Sequence, residues 1–206
     1  MLKIWGRANS INVQKVLWCA EELGLAYQRI DAGMEHGVVN TPEYRTLNPN
    51  GLVPTLEDGS LVLWESNAIV RYLAARYGAG SLWPVDPAAR AEADKWMDWQ
   101  MSTLWPRLRP VFWGLVRTPP QKRNPREIEE ARQKTIDALA ILNEALAGRS
   151  FVAGQAFTMG DLVLGVAAQR WFNLPLERPA MAHLQAWYRR LEERPAFRKV
   201  VDHPLT

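Results

Sequence analysis

The chain has 206 residues, enough for one large domain or two small ones, and 48% of them are hydrophobic, enough to bury a real core. Basic and acidic residues nearly balance, 25 against 22, and no basic block spans an aromatic platform, which disfavours nucleic acid as a partner. Cys19 is the single cysteine, so an internal disulfide and a CxxC pair are excluded; no apolar run approaches the ~20 residues of a membrane span; and residues 1–7 lead into a strand rather than a signal peptide, so a cytoplasmic protein is expected.

Leu2–Trp5 is the first strand candidate. Residues 13–23 come next with apolar positions at helical spacing (Val13, Val16, Leu17, Ala20, Leu23), and Gly24 stops them. Tyr27–Ile30 reads as a second strand, so the opening is β-α-β, which favours a parallel pair. After a polar stretch, Thr41-Pro42-Glu43 has the form of a helix start, with Thr41 as N-cap and Pro42 at the first helical position. Brief strands near 55–57 and 61–63 flank Asp58-Gly59, a strong hairpin signal, and residues 66–77 are helical by period. The order β-α-β-α-β-β-α is that of a thioredoxin-like domain over residues 1–78.

Residues 79–87 form a Gly/Pro-rich linker, and 88–206 hold no convincing strand, so the expected architecture is an α/β domain followed by an all-α domain. Residues 88–108 carry the stripe Met97, Met101, Leu104, Trp105, Leu108, and Pro106 and Pro110 should kink or end that helix. Further helices are expected over 127–147, 162–172 and 181–192. Thr158 and Asp161 form a capping box, with Phe157 placed to staple onto Leu162.

The segment 48–69, NPNGLVPTLEDGSLVLWESNAI, carries the strongest functional signal. A cis Val53-Pro54 bond at a strand start turns the chain and leaves the N–H and C=O of Val53 for a peptide to pair with, although an edge-strand proline gives the same letters. Glu65-Ser66 launches a helix whose free N–H groups suit a carboxylate, although Ser66 also serves as a plain N-cap. Ser10 lies between the first strand and the first helix, where a hydroxyl can donate to a thiolate or simply cap; Asn12 competes for the same role.

These motifs closely resemble the glutathione-binding half of a cytosolic glutathione transferase, and Ser10 with Asn12 and the adjoining Val-x-x-Val resembles the serine-type phi and theta classes. The resemblance implies glutathione as co-substrate, held by Leu52, Val53, Pro54, Glu65 and Ser66, with Ser10 or else Asn12 stabilising its thiolate. Where many relatives place a basic residue for the glycine carboxylate this chain has Asn40, with His36 nearby. In the family the long helix after the linker lines the electrophile site, which brings Trp99 or Trp113 into contact with a hydrophobic substrate. Conjugation, a role in detoxification and a homodimer are implied. The rival readings are a glutathione-dependent peroxidase, isomerase or dehalogenase, and a non-catalytic hydrophobic-ligand binder. His36, His183 and His203 lack metal spacing, and no P-loop, dinucleotide fingerprint or GxSxG occurs, so no metal is expected.

Overall fold

The computed structural model describes residues 1–206. Its first half is built on a four-stranded sheet in the order β2-β1-β3-β4. β1 (Leu2–Trp5) runs parallel to β2 (Tyr27–Ile30), with α1 (Ile11–Glu22) as the crossover; β3 (Thr55–Asp58) lies antiparallel to both β1 and β4 (Leu61–Trp64). The period-2 pattern of β1 buries Leu2 and Ile4, and Ile4 pairs with the equally buried Leu56 of β3. Gly59, at φ +62°, makes the tight β3–β4 turn. α2 (Pro42–Leu47) starts as expected, with the Thr41 hydroxyl accepting the Tyr44 N–H at 3.2 Å, and α3 (Ser66–Tyr77) covers the sheet.

The second half is helical: α4 (Pro87–Trp99), α5 (Trp105–Phe112), α6 (Pro125–Ala145), α7 (Met159–Asn173), α8 (Ala182–Glu192) and α9 (Pro195–Val200). The last of these, and the short 3-10 turns Met34–His36 and Pro120–Lys122, carry too few periodic residues to be read from the sequence. α7 is buried along its whole length from Met159 to Trp171 and is the central post. At its start the capping box forms, with the buried Asp161 carboxylate accepting the Thr158 N–H at 2.9 Å and hydroxyl at 3.1 Å. The same carboxylate accepts the Val152 N–H and the Trp187 Nε1–H, each at 2.8 Å. Phe157 packs on Trp18 and Phe151, at centroid distances of 5.6 and 5.7 Å.

One core of 44 buried residues runs through both halves. α1 is its hinge pin: Trp18 stacks edge-on against Phe197 of α9 and donates to Glu22, which Arg194 clamps at 2.6 and 2.7 Å. Cys19 is fully buried beside them, and burial pushes its thiol well above its ordinary pKa, as suits a small apolar side chain rather than a nucleophile.

The two prolines behave differently from the sequence expectation. Helical structure continues from Pro87 to Arg117 because two π turns, Gln100–Leu104 and Trp113–Arg117, interrupt the α-helix. The Trp105 N–H reaches back five residues to the Gln100 carbonyl, a widened turn with room for the ring of Pro106. Each such turn adds a residue and rotates the later part of the helix by about 100°. Met101 consequently leaves the expected stripe and is 50% exposed, whereas Met97, Leu104 and Leu108 are fully buried.

Candidate functional site

The segment 48–54 is held by side chains rather than by regular structure. The buried Asn48 donates to the Leu52 carbonyl at 2.9 Å and the Thr55 hydroxyl at 3.1 Å, and its own Oδ1 accepts the Asn50 N–H at 3.1 Å. The Tyr44 hydroxyl meets the same Leu52 carbonyl at 2.6 Å. Gly6, at φ +149°, lets the end of β1 pass close by; a Cβ there would lie 2.3 Å from Val13 Cγ2 and 3.2 Å from Val53 Cβ. The Val53–Pro54 peptide is cis, and neither the N–H nor the carbonyl of Val53 pairs with another backbone group. Val53 lines a cavity of about 150 Å³ together with Asn12, Pro54, Glu65 and Ser66.

Glu65, rather than Ser66, is the N-cap of α3, and Ser66 is the first helical residue. Glu65 adopts φ +70°, a left-handed conformation costing a non-glycine residue roughly 1–3 kcal/mol, which fits a side chain kept for what it touches rather than for stability. The Ser66 hydroxyl donates to Asn12 Oδ1 at 3.3 Å, tying the start of α3 to the first turn of α1.

Ser10 occupies the N-cap of α1, yet its hydroxyl makes no capping bond. It borders a second cavity, of about 370 Å³, together with Asn12, Leu52, Val53 and the aromatic wall Trp105, Phe112 and Trp113. Asn12, Leu52 and Val53 line both cavities, so the two adjoin. Behind them, the buried Lys15 of α1 donates to Gln100 Oε1 at 2.8 Å and Asn67 Oδ1 at 3.2 Å, joining α1, α3 and the first π turn. Burial pushes its pKa down to about 7, against the pull of Glu65. A peptide-sized anion laid along Val53 would thus have one end at the N-terminus of α3 and its middle at the N-terminus of α1, both partially positive.

Residues 1–75 match the family model described as glutathione S-transferase, N-terminal domain, and residues 125–190 the one described as glutathione S-transferase, C-terminal domain. The chain is 48% identical over 209 residues to glutathione S-transferase GstB of Escherichia coli K12, covering 100% of each. The chain belongs to the glutathione S-transferase family. This transferase is also similar, at 53% identity and a TM-score of 0.96 over 100% of its own length and 99% of the other, to the theta class glutathione S-transferase of Xanthomonas axonopodis pv. citri solved with glutathione bound. A plant relative, glutathione S-transferase F14 of Arabidopsis thaliana, shares 31% identity over 96% of this chain and 80% of its own.

In the transferase, Ser10, Asn12, Leu52, Val53, Pro54, Glu65 and Ser66 come together across the two adjoining cavities. His36 and Asn40 do not join them. The Asn40 Oδ1 accepts from Arg45 at 3.0 Å, and His36 lies beside Asp31 and Glu35 at 3.6 and 3.5 Å, on a third cavity of about 490 Å³. Trp113 lines the aromatic wall, but Trp99 is turned away against Trp96, 5.2 Å between centroids, and Trp105 takes its place. The π turn between them explains the exchange, since a 3.6-residue period cannot be carried across it. Sequence reasoning also missed Arg7, Arg109, Arg117 and Arg170, which line the second cavity from four distant points of the chain.

The cradle depends on Asn48. Asn48→Ala leaves the loop amide of Asn50 without its acceptor and is expected to cost about 1–2 kcal/mol of stability and to weaken glutathione binding in calorimetry. Unchanged affinity would show that Val53 is held without it.

Proposed function

We propose that this glutathione transferase binds glutathione across the cradle, with its cysteinyl backbone paired to Val53, its γ-glutamyl carboxylate at the Ser66 hydroxyl and N–H, and its ammonium near Glu65. The Ser10 hydroxyl donates to the thiolate, and the thiolate attacks an electrophile held on the aromatic wall. The observation carrying this reading is the sharing of Asn12, Leu52 and Val53 by a polar cradle and an aromatic cavity that Ser10 borders. The positive end of α1 and the free Ser10 hydroxyl both favour the ionised sulfur over the thiol, which is the form that reacts. A model aryl halide and a hydroperoxide, each assayed with glutathione, test it: turnover of the halide is expected, and tight glutathione binding with turnover of neither would leave a binding protein.

A homodimer fits the same reading. The edge strand β4 exposes Leu61 and Trp64, 37% and 40% accessible, and pairing with a second copy would cover them. Sedimentation at micromolar concentration is expected to give twice the chain mass of 23.5 kDa; a species of single mass would reject the pairing. The lone buried thiol suits a reducing, cytoplasmic setting, where conjugation would serve detoxification. No helix is long and apolar enough to cross a membrane.

A further inference from the structure

The cavity beside Ser10 has four guanidinium groups in its wall, Arg7, Arg109, Arg117 and Arg170, and no carboxylate. None of the four pairs with an Asp or Glu side chain, although most arginines of this protein that pair do so with a carboxylate closer than 3 Å. Arg7 Nε is buried without a partner. Arg170 is buried on α7 and donates only to the carbonyls of Val166 and Asn9 and to Gln169. Arg117 reaches the main-chain oxygen of Thr206 at 3.2 Å and lies 5.2 Å from the rings of both Phe112 and Trp113. Arg109 stacks on Trp113 at the same distance. Stacked guanidiniums keep their N–H edges free for a planar anion.

Such a concentration of like charge is unfavourable without a counter-charge. Burial and then Arg7 pull the Arg117 pKa down, and burial and then Arg117 pull Arg170 down to about 9. Glu35 pulls Arg7 and Arg117 the other way, but it lines the neighbouring cavity and sits beside His36. A neutral, greasy substrate would gain nothing from four cations without an acidic side-chain partner, and would take water from those it covers.

We propose, resting on the transferase reading above, that the electrophile is an aromatic anion: a planar ring against Trp105, Phe112 and Trp113 that carries a carboxylate or sulfonate received by Arg109 and Arg117. In the transfer, the glutathione sulfur forms a bond to the ring carbon bearing a halide, and the carbon–halogen bond breaks with the halide leaving on its electron pair. The proton of the thiol has already passed to solvent, so the products are the thioether, halide and a proton.

The test compares a chlorodinitrobenzoate with its neutral carboxamide, each enzymatic kcat/KM divided by the uncatalysed rate with glutathione. The anion is expected to be preferred by about tenfold or more, the scale of one hydrogen bond to a charged group. That preference should shrink with added salt, and should fall toward unity in Arg109→Gln and Arg117→Gln. Arg109 is exposed, so its replacement leaves the core intact. Equal use of the two substrates, or a preference unchanged in both variants, overturns the proposal while the transferase reading stands. Parallel losses on both substrates with a raised KM for glutathione would assign the arginines to glutathione itself and overturn it too. Turnover of neither substrate despite glutathione binding removes the transferase reading, and this one with it.

Discussion

Asp161→Ala is expected to destabilise the fold by about 3–5 kcal/mol, because it strands buried donors from three parts of the chain: the Val152 and Thr158 N–H groups and the Trp187 indole. These donors hold the loop before α7, the start of α7 and α8 to one carboxylate, and α7 is the post against which α1 and its Ser10 loop are placed. Urea unfolding of the two proteins measures the loss, and a value under about 1.5 kcal/mol would show that the site relaxes around the gap. Burial pushes the Asp161 pKa from 3.8 up to about 6, against the lowering effect of its four hydrogen bonds. A carboxyl group with a raised folded pKa binds more protons in the native state, so its contribution to stability declines as pH rises from 3.8 to about 6 and is level above that. The gap between wild type and Asp161→Ala should therefore be wider at pH 4 than at pH 7.

Ser10→Ala is expected to lower kcat/KM at neutral pH by roughly ten- to a hundredfold, the worth of one hydrogen bond to an anion, with little change in glutathione affinity. The cause is specific. Ser10 already sits at an N-cap whose hydroxyl the helix does not use, so removing it should leave α1 intact and remove only the donor to sulfur. A free thiol ionises near pH ~8.5, and a donor and a helix end together lower that to ~7 or below. Because the thiolate is the reactive form, activity rises with pH through this value, and the variant's profile should move to higher pH by about one unit. Ultraviolet titration of the bound thiolate reads the shift directly. A profile that does not move would transfer the role to Asn12, whose Oδ1 is already engaged by Ser66, or to the backbone.

The sheet-bearing half was readable because its signals are local. Asp58-Gly59 between apolar runs, Thr41-Pro42 before α2 and Gly24 after α1 each fix a turn or a terminus within a few residues, and all three stand where the pattern put them. That Val53, Pro54, Glu65 and Ser66 line one cavity was legible for the same reason, since they lie within one short segment. The aromatic cavity was not. Its arginines come from the β1–α1 loop, α5, the second π turn and α7, and only the packing of α7 against α1 and α5 brings them together. That Trp105 and not Trp99 joins Trp113 on the cavity wall has a sharper cause: residues around 100–104 look like ordinary helix, and nothing in their polarity announces the extra residue that turns every later side chain. His36 and Asn40 were placed by analogy with a missing basic residue, and Arg45 and the acidic neighbours of His36 occupy them instead.

A crystal structure with glutathione bound tests the central claim most directly. The account predicts the sulfur within hydrogen-bond distance of Ser10 Oγ, the cysteinyl N–H and C=O paired with Val53, and the γ-glutamyl carboxylate on the Ser66 hydroxyl and N–H. Sulfur seated on another group, with Ser10 Oγ out of reach, or glutathione lying in the cavity beside His36 with Val53 unpaired, would contradict it.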